Sequence, residues 1–160
     1  FKHSSAQAAA HRLGIPFTSH PMFGQDIIYN HGMNRGSAIG RAAERDFLTF
    51  ADGVSRLDGG VYISVGSAVM SPMIFEKSFS MGQNLALQRG APIRNHYMLV
   101  VDIAESRWDW SRGEPPENTP DYYHRFCKSF YRMGGAMRYI SADNRDFLPA
   151  LLAGLEQSGG

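Results

Sequence analysis

Lys128 lies within Phe126-Cys127-Lys128-Ser129-Phe130, a cationic side chain among aromatic rings. Stripping water from an ammonium beside such rings favours the neutral amine, which can attack a carbonyl and form an imine. The plainer alternative is a surface lysine whose stem lies on apolar atoms and whose head stays in water. Gly66-Ser67-Ala68 is the second feature, joining an apolar run to a helix-like one. Glycine lets the backbone approach a ligand, and a following helix N-terminus favours phosphate. The same tripeptide also suits an ordinary tight turn, and it lacks the three-glycine dinucleotide pattern. Asp102 and Asp143 each close an apolar run. An acid there can hold a ribose hydroxyl or an amine, or it can cap the next helix. Trp108 and Trp110 flank Asp109 in the polar stretch 105–120. They read as anchors of a long functional loop, because large aromatic area is usually spent on packing.

Other chemistries are disfavoured. The six histidines make no i, i+4 pair with a nearby acid, and Cys127 is the single cysteine. No metal site and no internal disulfide is expected. Ser67 and Ser71 lie near a turn, but the Gly-x-Ser-x-Gly elbow of many hydrolases is absent. The 16 basic and 15 acidic residues leave a net charge of +1, which argues against a nucleic-acid partner. No apolar run approaches the roughly 20 residues of a membrane span. Residues 1–14 lack the continuous apolar core of a signal peptide. The expectation is a cytoplasmic protein with no membrane partner. A chain of 160 residues that begins with Phe1 further suggests one α/β domain, 1–160, from the C-terminal part of a longer protein.

The elements that must position these residues alternate along the chain. Ser4 or Ser5 caps a helix over 6–13, and Gly14 ends it. Ile15-Pro16-Phe17-Thr18 reads as a short strand, and Asp26-Ile27-Ile28-Tyr29 as a second apolar stretch before a loop at 31–40. Helical spacing over 41–57 precedes strand 61–65, helix 69–88 and strand 97–103. Helix 121–133, strand 137–140 and helix 144–156 complete the order. Apolar strands separated by helix-length connections imply right-handed crossovers and a mostly parallel sheet. The fold expected is a three-layer α/β/α, Rossmann-like domain, which binds ligands beyond the carboxyl ends of its strands. Met70, Met73, Ile74, Phe75, Phe79 and Met81 are more apolar surface than one face of helix 69–88 can bury, so assembly is expected.

Taken in order, these segments resemble the C-terminal half of deoxyhypusine synthase and its bacterial deoxyhypusine-synthase-like relatives. The likeness rests on Ser4-Ser5, Ala10-His11 and Ile15-Pro16, on Asp26 through His31, and on the glycine turn of 61–68. It continues with Pro120-Asp121 seven residues before Lys128, and with Ala142-Asp143 before Phe147-Leu148-Pro149-Ala150-Leu151-Leu152. The resemblance implies an NAD-dependent aminobutyl transferase acting on spermidine or a related polyamine. Lys128 would be the imine-forming lysine and Asp26 the acid that holds the amine. Gly66, Ser67, Asp102, Asp109, Ala142 and Asp143 would contact NAD. Ser71 and Phe126 stand where the family carries histidine and tryptophan, and they are assigned to the substrate. The resemblance also implies a homo-oligomer, dimer or tetramer, with its site at a subunit interface. The rival reading is a non-catalytic member that binds a nucleotide or serves as a structural oligomer.

Overall fold

The computed structural model describes residues 1–159. Its contacts divide into two compact units, Phe1–Val54 and Ser55–Gly160, where the sequence had read as one domain.

In the first unit, helix α1 spans Ala6–Leu13. Ser5 caps it by accepting from the Ala8 amide at 3.3 Å. Gly14 closes it at φ 66°, in the left-handed conformation that glycine adopts without strain. Ile15–Thr18 does not form the expected strand. A strand needs a paired neighbour, and the groups nearby turn instead to side-chain partners. The Ser19 amide donates to the Asp46 carboxylate at 2.8 Å, and Thr18 pairs with His20. Residues 27–30 form a 3-10 turn rather than an extended stretch. Helix α2 spans Gly36–Ser55, so it takes in part of what read as a loop.

The second unit is a mixed α/β fold of Rossmann-like type. Strands β1 (Val61–Val65), β2 (Tyr97–Asp102) and β3 (Ala136–Ser141) form an open parallel sheet in that spatial order. Tyr62 is level with Met98, and Met98 with Met137. Helices α3 (Met70–Gln88) and α4 (Arg125–Tyr131) are the two crossovers, and α5 (Asn144–Ser158) follows β3. Two right-handed crossovers stepping in one direction put both helices on one face, and α3 does contact α4. The core forms there. Tyr62 meets Phe75 at 4.3 Å with its ring tilted by 32°, and Phe75 meets Phe130 at 5.5 Å. Phe75, Phe130, Met98, Val100 and Val101 are all at most 1% exposed, as expected for a central strand and its covering helices. On the other face, Val61 and Ile63 stay exposed.

The amino ends of the strands are tied separately. Asp58 accepts from the Arg94 and Asn95 amides, both at 2.8 Å. His96 is buried against the Phe79 ring. Gly135 approaches so closely that a Cβ there would stand 2.5 Å from the His96 carbonyl oxygen.

The helix expected over 121–133 is interrupted. Residues Pro120–Tyr123 form a 3-10 turn, and His124 leaves the helical region at ψ 72° before α4 begins. Among the described residues, no helix is long and apolar enough to cross a membrane.

Candidate functional site

A parallel sheet aims its carboxyl ends, and the amino ends of the helices that follow, at one edge. At β1 that edge is Gly66. Its amide extends the ladder by donating to the Val101 carbonyl at 2.8 Å. Its φ of 62° and the Asn144 side chain together demand glycine, because a Cβ would sit 2.5 Å from the Asn144 amide nitrogen. Ser67 accepts from the Ser71 amide at 3.0 Å, and the Ser71 hydroxyl pairs with the Tyr62 hydroxyl at 2.8 Å. Ser67 therefore caps the first turn of α3, and Ser71 fixes that turn to β1.

Asp102 ends β2. Its main-chain oxygen accepts from Ala142 and its carboxylate from the Ala104 amide, both at 3.0 Å. Asp143 ends the β3 connection and caps α5 by accepting from the Arg145 amide at 2.8 Å. The Arg145 guanidinium also pairs with it at 2.7 Å. That pairing first, and the amide second, hold the Asp143 carboxyl below its usual range. Gly66, Asp102, Ala142 and the Asp143-Asn144 turn thus share one edge. Asn144, which the sequence reading passed over, fills the gap between the β1 and β3 turns. Its Oδ1 is buried without a hydrogen-bond partner.

The loop after β2 packs as anchored structure. Trp110 is buried and meets Tyr131 at 5.7 Å. Trp108 donates to the Gly113 carbonyl at 2.8 Å, under the Arg112 guanidinium. Asp109 accepts from the Ser111 hydroxyl at 2.7 Å and the Ser111 amide at 3.0 Å. These bonds, the hydroxyl's first, lower its carboxyl pKa. Ser106 donates a hydrogen bond to the Asp121 carboxylate. A cavity of about 220 Å³ opens here, lined by Glu105, Ser106, Arg107 and Ser141.

The Tyr139 hydroxyl donates to the Ala104 carbonyl at 2.6 Å. Burial first, and then Asp102 and Asp121, push the Cys127 thiol well above its ordinary value. The Tyr139 phenol is pushed up mainly by burial, with Cys127, Asp102 and Asp121 adding to the shift. The two acids therefore act on one patch beneath the β2 and β3 ends. Tyr139 was legible only as a strand residue, and nothing in its spacing marked this position.

Lys128 extends from α4 with its Nζ 3.3 Å from the centre of the Tyr122 ring. The aromatic surface beside it is thus supplied by the 3-10 turn, not by its sequence neighbours. Phe126 faces His124 and Tyr139, and Phe130 is in the core. Asp26 belongs to the first unit, where it accepts from the Met22 amide at 2.6 Å. Among the described residues, no group of three or more His, Cys, Asp or Glu side chains could hold a metal ion.

Comparison of the chain with family models, curated proteins and solved structures finds no match.

The edge can be weighed against a dinucleotide on its own chemistry. Asn144 fills the Cβ side of the Gly66 turn, and the two helix amino ends that follow β1 and β3 suit a phosphate. The unpartnered Asn144 Oδ1 suits a donor such as a ribose hydroxyl. The cavity is smaller than the roughly 300–1,000 Å³ of typical ligand pockets, so it would take one ring of a dinucleotide rather than the whole.

Proposed function

We propose that the carboxyl edge of this sheet binds a nucleotide, NAD in the reading the family resemblance implies, within a deoxyhypusine-synthase-like aminoalkyl transferase. The observation that carries the proposal is the meeting of Gly66 with Asn144 beside Asp102 and Ala142. It combines a turn that excludes any Cβ with a buried acceptor lacking a donor. Gly66 and Ser67 would approach the phosphates, while Asp102 and Asn144 would accept from ribose hydroxyls. When bound, NAD would take a hydride from the carbon bearing the donor nitrogen and later return it. Lys128 would add its amine to the oxidised carbon as the donor's leaving amine departs with a proton. It would then hold the aminoalkyl group as an imine until an acceptor amine displaces it. Phe126 and Ser71 would border the amine, and the resemblance assigns Asp26, on the first unit, to a polyamine such as spermidine.

A second reading, a nucleotide-binding protein without catalysis, draws support from Lys128 itself. A ring face 3.3 Å away attracts the ammonium, whereas an imine-forming lysine must spend time neutral. Borohydride trapping after incubation with NAD and spermidine separates the two. Peptide mass should show a reduced adduct on Lys128 that disappears in Lys128→Ala. Binding of NAD without any adduct would leave the second reading standing.

A further inference from the structure

The first unit holds a cavity of its own, bounded by the 3-10 turn Ile27–Asn30, the bend after it and the first turn of α2. Its volume is about 390 Å³, near the lower end of the roughly 300–1,000 Å³ of small-molecule pockets. Ile28, Met33, Ala38 and Ile39 supply apolar walls, and His31 and Arg35 stand among them. The remaining lining residue, Asn34, closes the bend by donating its amide to the His31 carbonyl at 2.9 Å. The turn also packs on α2 through Phe23, whose ring meets Tyr29 at 5.9 Å and would lie 3.8 Å from a Cβ at Gly40. The polar groups are donors. The His31 Nδ1 accepts from the Met33 amide at 3.1 Å, so the ring proton sits on Nε2. Arg35 adds a guanidinium. Among the described residues, no acid pairs with it and none lines the cavity.

We propose that this cavity binds a small carboxylic acid as its anion. The carboxylate would meet Arg35 and His31, and an aliphatic or aromatic body would lie against Ile28, Met33, Ala38 and Ile39. The guanidinium fork matches a carboxylate with paired, parallel hydrogen bonds. A single fixed positive charge balances a monoanion. A phosphate dianion would leave one negative charge uncompensated among apolar walls, which is costly. A polyamine would bring more positive charge to Arg35 with no acid to meet it. Met33 is 83% exposed and Ile28 45%, so an apolar body would cover surface that water now wets. The flexible Met33 thioether can shape itself to that body. The proposal does not rest on the nucleotide reading.

Amide chemical shifts of the isotope-labelled protein test it, recorded while isocaproate, phenylacetate or benzoate is added. At least one acid should move Met33, Arg35, Ala38 and Ile39 along one saturating curve. Its uncharged primary amide, inorganic phosphate and spermidine should leave them still at the same concentrations. Arg35→Gln should weaken binding about tenfold, the loss of one charge-assisted pair. Ala38→Phe, at an exposed helix position, should abolish binding by filling the cavity. Both variants should keep the circular dichroism spectrum of the unaltered chain. No saturating movement with any acid at millimolar concentration would overturn the proposal. So would an equal response to the primary amide or to phosphate, undiminished affinity in Arg35→Gln, or binding that survives Ala38→Phe.

Discussion

Gly66 is the residue on which the site reading depends most, and its requirement has two separable parts. The φ of 62° costs any other residue conformational energy, and the Asn144 amide occupies the space a Cβ would take. Gly66→Ala should therefore destabilise the fold by about 1–3 kcal/mol. Asn144→Ala in the same chain should return the steric part and leave the backbone part. Denaturation midpoints of the two single variants and the double variant would measure that split; equal midpoints for Gly66→Ala with and without Asn144→Ala would remove the steric contribution. His96 gives a second prediction at this scale. Burial lowers its pKa, while the nearby Asp58 carboxylate pulls the other way more weakly. Phe79, Gly135 and the Gly134 backbone surround the ring, and neither nitrogen has a partner of good geometry. The unfolded chain, with His near 6.5, then binds a proton more readily than the folded one. Stability should be full above that value and should fall as pH drops below it toward the lowered folded value. His20 is shifted in the same direction, so the contribution of His96 is read as the difference from His96→Phe. An unchanged slope between pH 7 and 5, a window of about two units around the reference value, would contradict the assignment.

At the scale of elements, the parallel strands and their crossovers were legible because pattern and position agreed. Val61–Val65, the apolar run from Tyr97 and the run ending at Ser141 are each short, largely apolar and separated by helices. The capping role of Asp143, one of two readings the sequence left open, is present in the structure. What pattern could not supply was pairing at a distance. Ile15–Thr18 has strand-like residues but no neighbour to pair with. The helix over 121–133 has good periodicity but breaks at His124. The ring facing Lys128 comes from Tyr122, six residues earlier, because of that break. The ties Asp58 to Arg94 and Tyr139 to Ala104 join residues more than thirty apart, and they exist only once the register is set. The crossover core yields a further prediction. Phe75→Ala removes a ring that is fully buried between Tyr62, Phe79 and Phe130, and it should cost about 3–5 kcal/mol. Chemical denaturation measures it, and a loss below 1 kcal/mol, about the cost of one buried methylene, would mean that Phe75 does not hold α3 to the sheet.

For the whole molecule, the sequence carried the direction of the sheet and hence the edge at which a ligand would bind. It left out Asn144, Tyr139 and Ser106, polar side chains with no spacing signal whose positions follow from three strands ending side by side. The central claim is that this edge receives a nucleotide. Amide chemical shifts recorded while NAD is titrated into the isotope-labelled protein test it most directly. The account predicts that Gly66, Ser67, Asp102, Ala142 and Asn144 move together along one saturating curve, while Asp58 and His96 at the opposite end of the strands stay still. Amides at the carboxyl edge that remain unmoved by millimolar NAD in the folded protein would contradict it.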